Sequence, residues 1–351
     1  MTNFDDFKLA VESLSGGHNT VLLDDLGMPS VVVPFPKLNY SDVFEGGAQE
    51  PLPAFVVDGQ EKQVVYISKY LNVIVNDRAY SLPMKEPATD IDFARALTVC
   101  RNKGAGWHLI TNAMWTAIAA WCNKNGTIPH GNNNYGADIG HPHEKGVPSS
   151  PLDNEGRTRR TATGSGPSTW YHNYDMSGIA DLNGNVWEWV SGLRLENGEI
   201  QIIPYGNAMK FDCNMSATST EWKAIKADGT FVTPGATDTL KYDLINNKLT
   251  ISTTTTAPPL NGEVTKFKEI AVASGITIPP ILKALGLYSD SPGYENNGIF
   301  IFNTSAQHNE RIPYRGGGWN GGASAGVLSI NLNDTRLFHY AHVGFRSAFY
   351  E

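Results

Sequence analysis

Three stretches of the sequence hold residue types that could do chemistry. His141-Pro142-His143-Glu144 sets two imidazoles beside a carboxylate, a donor set that suits zinc. Zinc needs a further ligand from elsewhere and a frame that fixes both rings, so an x-Pro-x run in a loop reads better as a set of backbone hydrogen-bonding side chains. Arg157-Thr158-Arg159-Arg160 could grip a phosphate or sulfate. Its Pro/Gly/Ser surroundings read instead as a solvated turn or a set of local ion pairs. The oxygen-rich stretch from Asp181 to Glu188 suits calcium, which accepts backbone carbonyls beside carboxylates. The same turn could close on itself with Glu188 bonding nearby amides, and in either reading its role is structural. His108, beside Trp107, is read as a satisfied core histidine. Cys100, Cys122 and Cys213 fall in no metal spacing; the first two read as buried small residues on two helices, with a pairing between them left open. No Gly-rich phosphate loop, Ser-His-Asp order or metalloprotease helix occurs.

The elements that must position these residues are mostly short. From Thr20 to Val57, and again at Val64-Val65-Tyr66-Ile67, apolar runs alternate with Gly and Pro, which predicts a β-rich segment over residues 1–80. Two amphipathic helices follow and should pack on a sheet. The first runs from a Thr89 or Asp90 cap to Gly104, with Phe93, Ala94, Leu97 and Cys100 on its stripe. The second starts at Thr111 as N-cap, carries Met114, Trp115, Ile118, Trp121 and Cys122, and stops at Gly126. Residues 126–169 are too long for an ordinary connection and predict a folded loop. A tight Asn183-Gly184 turn then feeds a strand with Trp187 and Trp189 on one face and Glu188 on the other. An insertion spans about residues 193–310, mostly β, with strands flanking an Asn246-Asn247 turn, a Thr-rich run before Pro258-Pro259, and one short helix after Pro280. Short glycine-separated strands fill 315–351.

The chain has 351 residues, 41% of them apolar and 18% charged, with 35 Gly and 20 Pro, a composition for a loop-rich globular protein rather than a disordered chain or helical bundle. With a net charge of −8 the whole-molecule field offers nothing to a phosphate backbone, so nucleic acid is a poor partner. The opening residues lack a basic and apolar leader, and no apolar run of about 18 residues follows, so neither a Sec signal nor membrane insertion is expected.

Three ordered blocks together resemble the C-type-lectin fold of the formylglycine-generating, sulfatase-modifying type: Gly106-Trp107-His108-Leu109-Ile110-Thr111-Asn112-Ala113-Met114-Trp115, then Asp181-Leu182-Asn183-Gly184-Asn185-Val186-Trp187-Glu188-Trp189, then Arg315-Gly316-Gly317-Gly318-Trp319-Asn320 with Val343-Gly344-Phe345-Arg346. The resemblance implies an α+β, C-type-lectin-like domain over 81–351, with short antiparallel sheets and the 193–310 insertion. It also implies a structural calcium held by the Asp181 and Glu188 carboxylates and the Gly184 and Val186 carbonyls. No other cofactor is required. The catalytic branch of that family needs thiols near its C-terminal block, and no cysteine follows Cys213. A binder is therefore expected rather than an oxidase.

The C-terminal segment, 315–351, more closely resembles the variable region of proteins diversified by retroelements, which include phage receptor-binding proteins. In that family randomised template adenines turn Asn codons into any codon ending in a pyrimidine, so Lys, Glu, Gln, Met and Trp cannot arise there. From Gly318 to Tyr350 the chain has no Lys, Glu, Gln or Met, and its one Trp, Trp319, matches a position the family holds fixed. Leu337-Phe338-His339-Tyr340-Ala341-His342 cannot all face inward in an extended chain, although a terminal core strand is the competing reading. The resemblance implies a displayed surface of Gly318, Asn320, Gly321, Ser324, Ser329, Asn331, Asp334, Leu337, Phe338, His339, Tyr340, Ala341 and His342. Such a surface would bind a host-cell receptor, protein or glycan. Met28-Pro29-Ser30-Val31, Val65 to Tyr70 and Arg78 to Pro83 resemble segments of prophage-encoded members. The setting they imply is a phage tail, with the host cytoplasm before assembly, tail proteins as neighbours and homo-oligomers in reach. The alternatives are a formylglycine-generating-type oxidase and a purely structural tail component.

Overall fold

In the computed structural model, which describes residues 3–246, 248–255, 263–291, 293, 298–301 and 310–351, the chain is α+β. Asn247 of the expected turn and the Pro258-Pro259 pair lie outside the described residues. A five-stranded antiparallel sheet runs in the order Thr20–Leu23, Pro29–Pro36, Val64–Ser68, Ser347–Phe349, Trp107–Leu109. A penultimate segment of the chain is thus the bridge between the N-terminal strands and the strand that precedes the second helix.

A six-stranded sheet carries the Trp-Glu-Trp motif. Trp187–Trp189 lies between Tyr314–Gly316, antiparallel, and Val343–Phe345, parallel. Gly326–Asn331, Gly298–Ile301 and Glu263–Lys266 continue it outward, so strands from the 193–310 stretch extend this sheet. Other described strands of that stretch form a third sheet, in which the hairpin Lys241–Ile245 with Lys248–Ser252 matches the expected pair of polar strands. Its short helix is Pro280–Ala284. Among the described residues no helix is long and apolar enough to cross a membrane.

Both expected helices are present. In Asn112–Asn125, Thr111 accepts a hydrogen bond from the Met114 N–H, and Gly126 ends the helix at φ 68°. This helix is buried on more of its circumference than the expected stripe, because Ala113, Ala117, Ala119 and Ala120 let the surrounding layers approach closely. Phe93–Arg101 corrects the expected start: Asp92, not Thr89 or Asp90, is the N-cap, accepting from the Arg95 N–H at 2.7 Å. Its stripe is also rotated, since Phe93, Ala96, Val99 and Cys100 are buried while Ala94 is exposed. The sheet chose the side where β-branched Val99 and small Ala96 pack. A helix not anticipated in the β-rich start, Asn3–Leu14, precedes the first strand. All three cysteines are free and buried, and Cys100 and Cys122 lie in separate core clusters, which closes the pairing left open.

Candidate functional site: a loop surface on a buried ionic frame

The Asp181–Glu188 motif builds the floor. Gly184 sits at φ 75°, and a Cβ there would fall 2.1 Å from the Asn132 carbonyl oxygen, so only glycine fits. Asn183 and Asn185 clamp the long loop from both sides. Asn185 Oδ1 accepts from the Thr161 N–H at 2.9 Å, and its amide donates to the Thr161 carbonyl at 3.0 Å. The Asn183 amide donates to the Pro129 carbonyl, and Asn132 and Asn133 make further bonds inside the loop. Asparagine side chains here replace the regular backbone ladder that the 126–169 segment lacks.

Glu188 is fully buried and gives both carboxylate oxygens to Arg346, at 2.7 Å from Nε and 2.7 Å from Nη2. Arg346 also donates to the carbonyls of Ser68 and Ala180, so one guanidinium joins the first sheet, the turn and the Trp strand. Burial pushes the Glu188 carboxyl up and the Arg346 charge opposes it. Asp181 points elsewhere, accepting from the Gly164 N–H at 2.8 Å. The calcium expectation for Asp181, Gly184, Val186 and Glu188 therefore does not fit this packing: one proposed carboxylate is saturated by a cation, and the other serves a different loop. Among the described residues no group of three or more His, Cys, Asp or Glu side chains could hold a metal. The His-Pro-His-Glu run is spent locally. His130 stacks on His141 at 3.8 Å, His141 reaches Asp138, and Glu144 accepts from His130, Thr169 and Trp170. His108 is buried as expected, and burial lowers its pKa to about 4.

Over this floor, residues 318–325 and 336–342 form neighbouring turns. Gly317 makes the first possible, since its φ is 92° and a Cβ would fall 2.3 Å from that of Ala325. Trp319 is buried against Leu71 and Val186, donates its N–H to the Asn185 carbonyl, and accepts from the Tyr135 N–H. The hexapeptide 337–342 is a loop, not a strand. It is tied down by its backbone: the Arg336, Tyr340 and His342 carbonyls accept from the Phe93, Asp90 and Trp187 N–H groups, and Ala341 accepts from Arg160 Nη1. Arg336 is bound by Glu310, which also holds Arg194.

The expected surface residues divide into three groups. Asn320, Leu337, His339 and Tyr340 are exposed, Leu337 at 70% and Tyr340 at 55%. Gly321, Ser324, Asp334, Phe338, Ala341 and His342 are half-buried. Gly318, Ser329 and Asn331 are buried, which corrects their assignment to the surface. Ser329 and Asn331 lie in the inner strand Gly326–Asn331, where the Ser329 hydroxyl donates to the Ser324 carbonyl and Asn331 accepts from the Asn333 N–H. Asp334 is held by the Tyr314 hydroxyl. An aromatic ladder climbs from the core to the surface: Phe338 stacks on buried Tyr314 at 6.2 Å, Tyr340 on Phe338 at 6.4 Å, and His342 lies 4.6 Å from Tyr340. Burial lowers the His342 imidazole to about 4, so it is neutral at physiological pH.

The rim brings the Arg157–Arg160 cluster together with Tyr135 and Glu86, which the sequence did not mark. Arg157 lies over the Tyr135 ring at 3.7 Å, and Arg160 pairs with Glu86 beside Trp319. The Arg cluster does form the expected local ion pairs, with Arg157 also bound to Asp153. Its adjacency to the 318–342 turns had no signal beyond the unusual length of the Asn-rich loop.

No protein-family model matches the chain, and no curated protein does. Solved structures similar to it include Treponema denticola variable protein 1, 11% identical over 95% of this chain and 99% of that one, TM-score 0.35. PvdO from Pseudomonas aeruginosa is 13% identical over 95% and 98%, TM-score 0.36. The Major Tropism Determinant U1 variant is 10% identical over 95% and 71%, TM-score 0.33.

Proposed function

We propose that the chain is a non-catalytic receptor-binding protein whose partner, a host-cell surface protein or glycan, docks on the turns 318–325 and 336–342, and that it works at the tail of a phage. The observation that carries this reading is the hexapeptide 337–342. A segment this apolar would ordinarily be core, yet it is a backbone-anchored loop that offers Leu337 and Tyr340 to solvent. Rigid aromatics on a fixed loop give contact area at low entropic cost. The absence of Lys, Glu, Gln and Met from Gly318 to Tyr350 supports the same conclusion. An oxidase reading finds no reactive thiol, because burial raises the pKa of every cysteine.

The test uses fluorescently labelled protein and intact cells of the bacterium whose DNA carries the gene or hosts its phage. Leu337→Ala with Tyr340→Ala should leave the melting temperature within the range of a surface change, about 0.5 kcal/mol per site, while reducing cell binding at least roughly ten-fold. Unchanged cell binding by a folded double variant would refute this surface as the receptor site.

A further inference from the structure

A cavity of about 670 Å³ lies between the Asn3–Leu14 helix and the 173–177 turn, away from the surface described above. The helix lines it with Phe7, Val11 and Leu14, while its most buried lining residues are Asn19, Val31 and Lys69. Lys69 follows the strand Val64–Ser68, and its Nζ donates to Asn19 Oδ1 at 2.6 Å and to the Met176 carbonyl at 2.6 Å. The rings of Tyr70 and Tyr171 lie 5.5 and 5.8 Å from it. Among the described residues Lys69 has no carboxylate in ion-pair contact; Asp175 acts on it from farther away, and His18 lines the same cavity.

Two acceptors suit an amine carrying two N–H bonds. A neutral amine uses both and keeps its lone pair, whereas an ammonium brings a third proton for which the site supplies only ring faces. Burial accordingly pulls Lys69 down to about 8, against a smaller opposing effect of Asp175. We propose that Lys69 is a reactive amine that condenses reversibly with small apolar aldehydes admitted to this cavity. The Nζ lone pair attacks the carbonyl carbon, an amine proton passes to the carbonyl oxygen, and the carbinolamine loses water to leave a C=N bond, with no oxidant or reductant consumed. The helix residues Phe7, Val11 and Leu14 select an apolar body on the aldehyde.

The full chain is treated with hexanal and cyanoborohydride, which traps the imine as a secondary amine, and peptide mass spectrometry reads labelling at each lysine. At pH 7 Lys69 should label about ten-fold faster than exposed Lys124, and this advantage should shrink toward pH 10 as ordinary lysines deprotonate. Val11→Trp, which fills the cavity and leaves the Nζ partners in place, should slow labelling of Lys69 several-fold and leave Lys124 unchanged; should that variant fail to fold, Met176→Trp at the exposed rim serves instead. Labelling of Lys69 no faster than of Lys124, or labelling indifferent to a filled cavity in a folded variant, overturns the proposal.

Discussion

Asp181 shows how much a single buried group can set the pH behaviour of the protein. Its backbone is left-handed at φ 60°, and burial lifts its carboxyl to about 6. The folded chain therefore keeps this proton where the unfolded chain, with a carboxyl near 4, has released it. Its contribution to stability is fully present below about pH 4 and is lost as pH rises through about 6. Asp181→Asn keeps a short acceptor for the Gly164 N–H and suits the positive φ. It should raise stability by about 1 to 3 kcal/mol at pH 7 and change little at pH 4. Melting curves at the two pH values check this, and an equal effect at both would refute the titration. Residue-scale legibility was uneven for a related reason. Leu337 and Tyr340 were read as displayed because six consecutive side chains cannot all face inward. Ser329 and Asn331 were misplaced because a polar residue buries readily once a nearby backbone group can pair with it, and sequence does not reveal that partner.

Among the elements, the Trp187–Trp189 strand was the most legible, since the Asn-Gly turn fixes where it starts and period-two alternation separates both tryptophans from Glu188. Trp187 is 8% exposed and meets Phe300 and Tyr314 edge to face. Trp187→Ala should cost about 3 to 5 kcal/mol through the cavity it leaves, as measured by denaturant unfolding. Glu188→Gln should cost a similar amount, about 3 to 5 kcal/mol, by leaving the Arg346 charge buried without its partner. If Glu188→Gln proves neutral, the ionic frame does not hold the sheets together. The Glu188–Arg346 pair was not legible, because 158 residues separate its members. The same holds for the rotated stripe of Phe93–Arg101: 3.6-residue spacing admits two neighbouring faces, and only the sheet it packs on decides between them.

At the scale of the whole molecule, the five-stranded sheet joins residues far apart in the chain: Ala348 pairs with Ile67 on one side and with His108 on the other. The N-terminal strands, read from sequence as a β-rich segment of their own, share a sheet with the chain's last strand, and no local pattern announces pairing at that separation. Deleting residues 347–351 exposes two strand edges in mid-sheet and removes the Phe349 packing on Trp107. The truncated chain should lose its cooperative thermal transition; a sharp transition near the parent's would show that the strand is dispensable.

That closing strand also decides how damage to the chain within the 318–342 turns is felt by the fold. A ribosome must read through residues 318–342 before it makes the three residues that complete the central sheet. A stop codon or frameshift anywhere in the turns therefore yields a chain without this strand, with the edges of Val64–Ser68 and Trp107–Leu109 left open. An in-frame substitution at an exposed position such as Leu337 or Tyr340 leaves the strand in place. The position of the strand thus makes complete synthesis of the turns a condition for closing the five-stranded sheet.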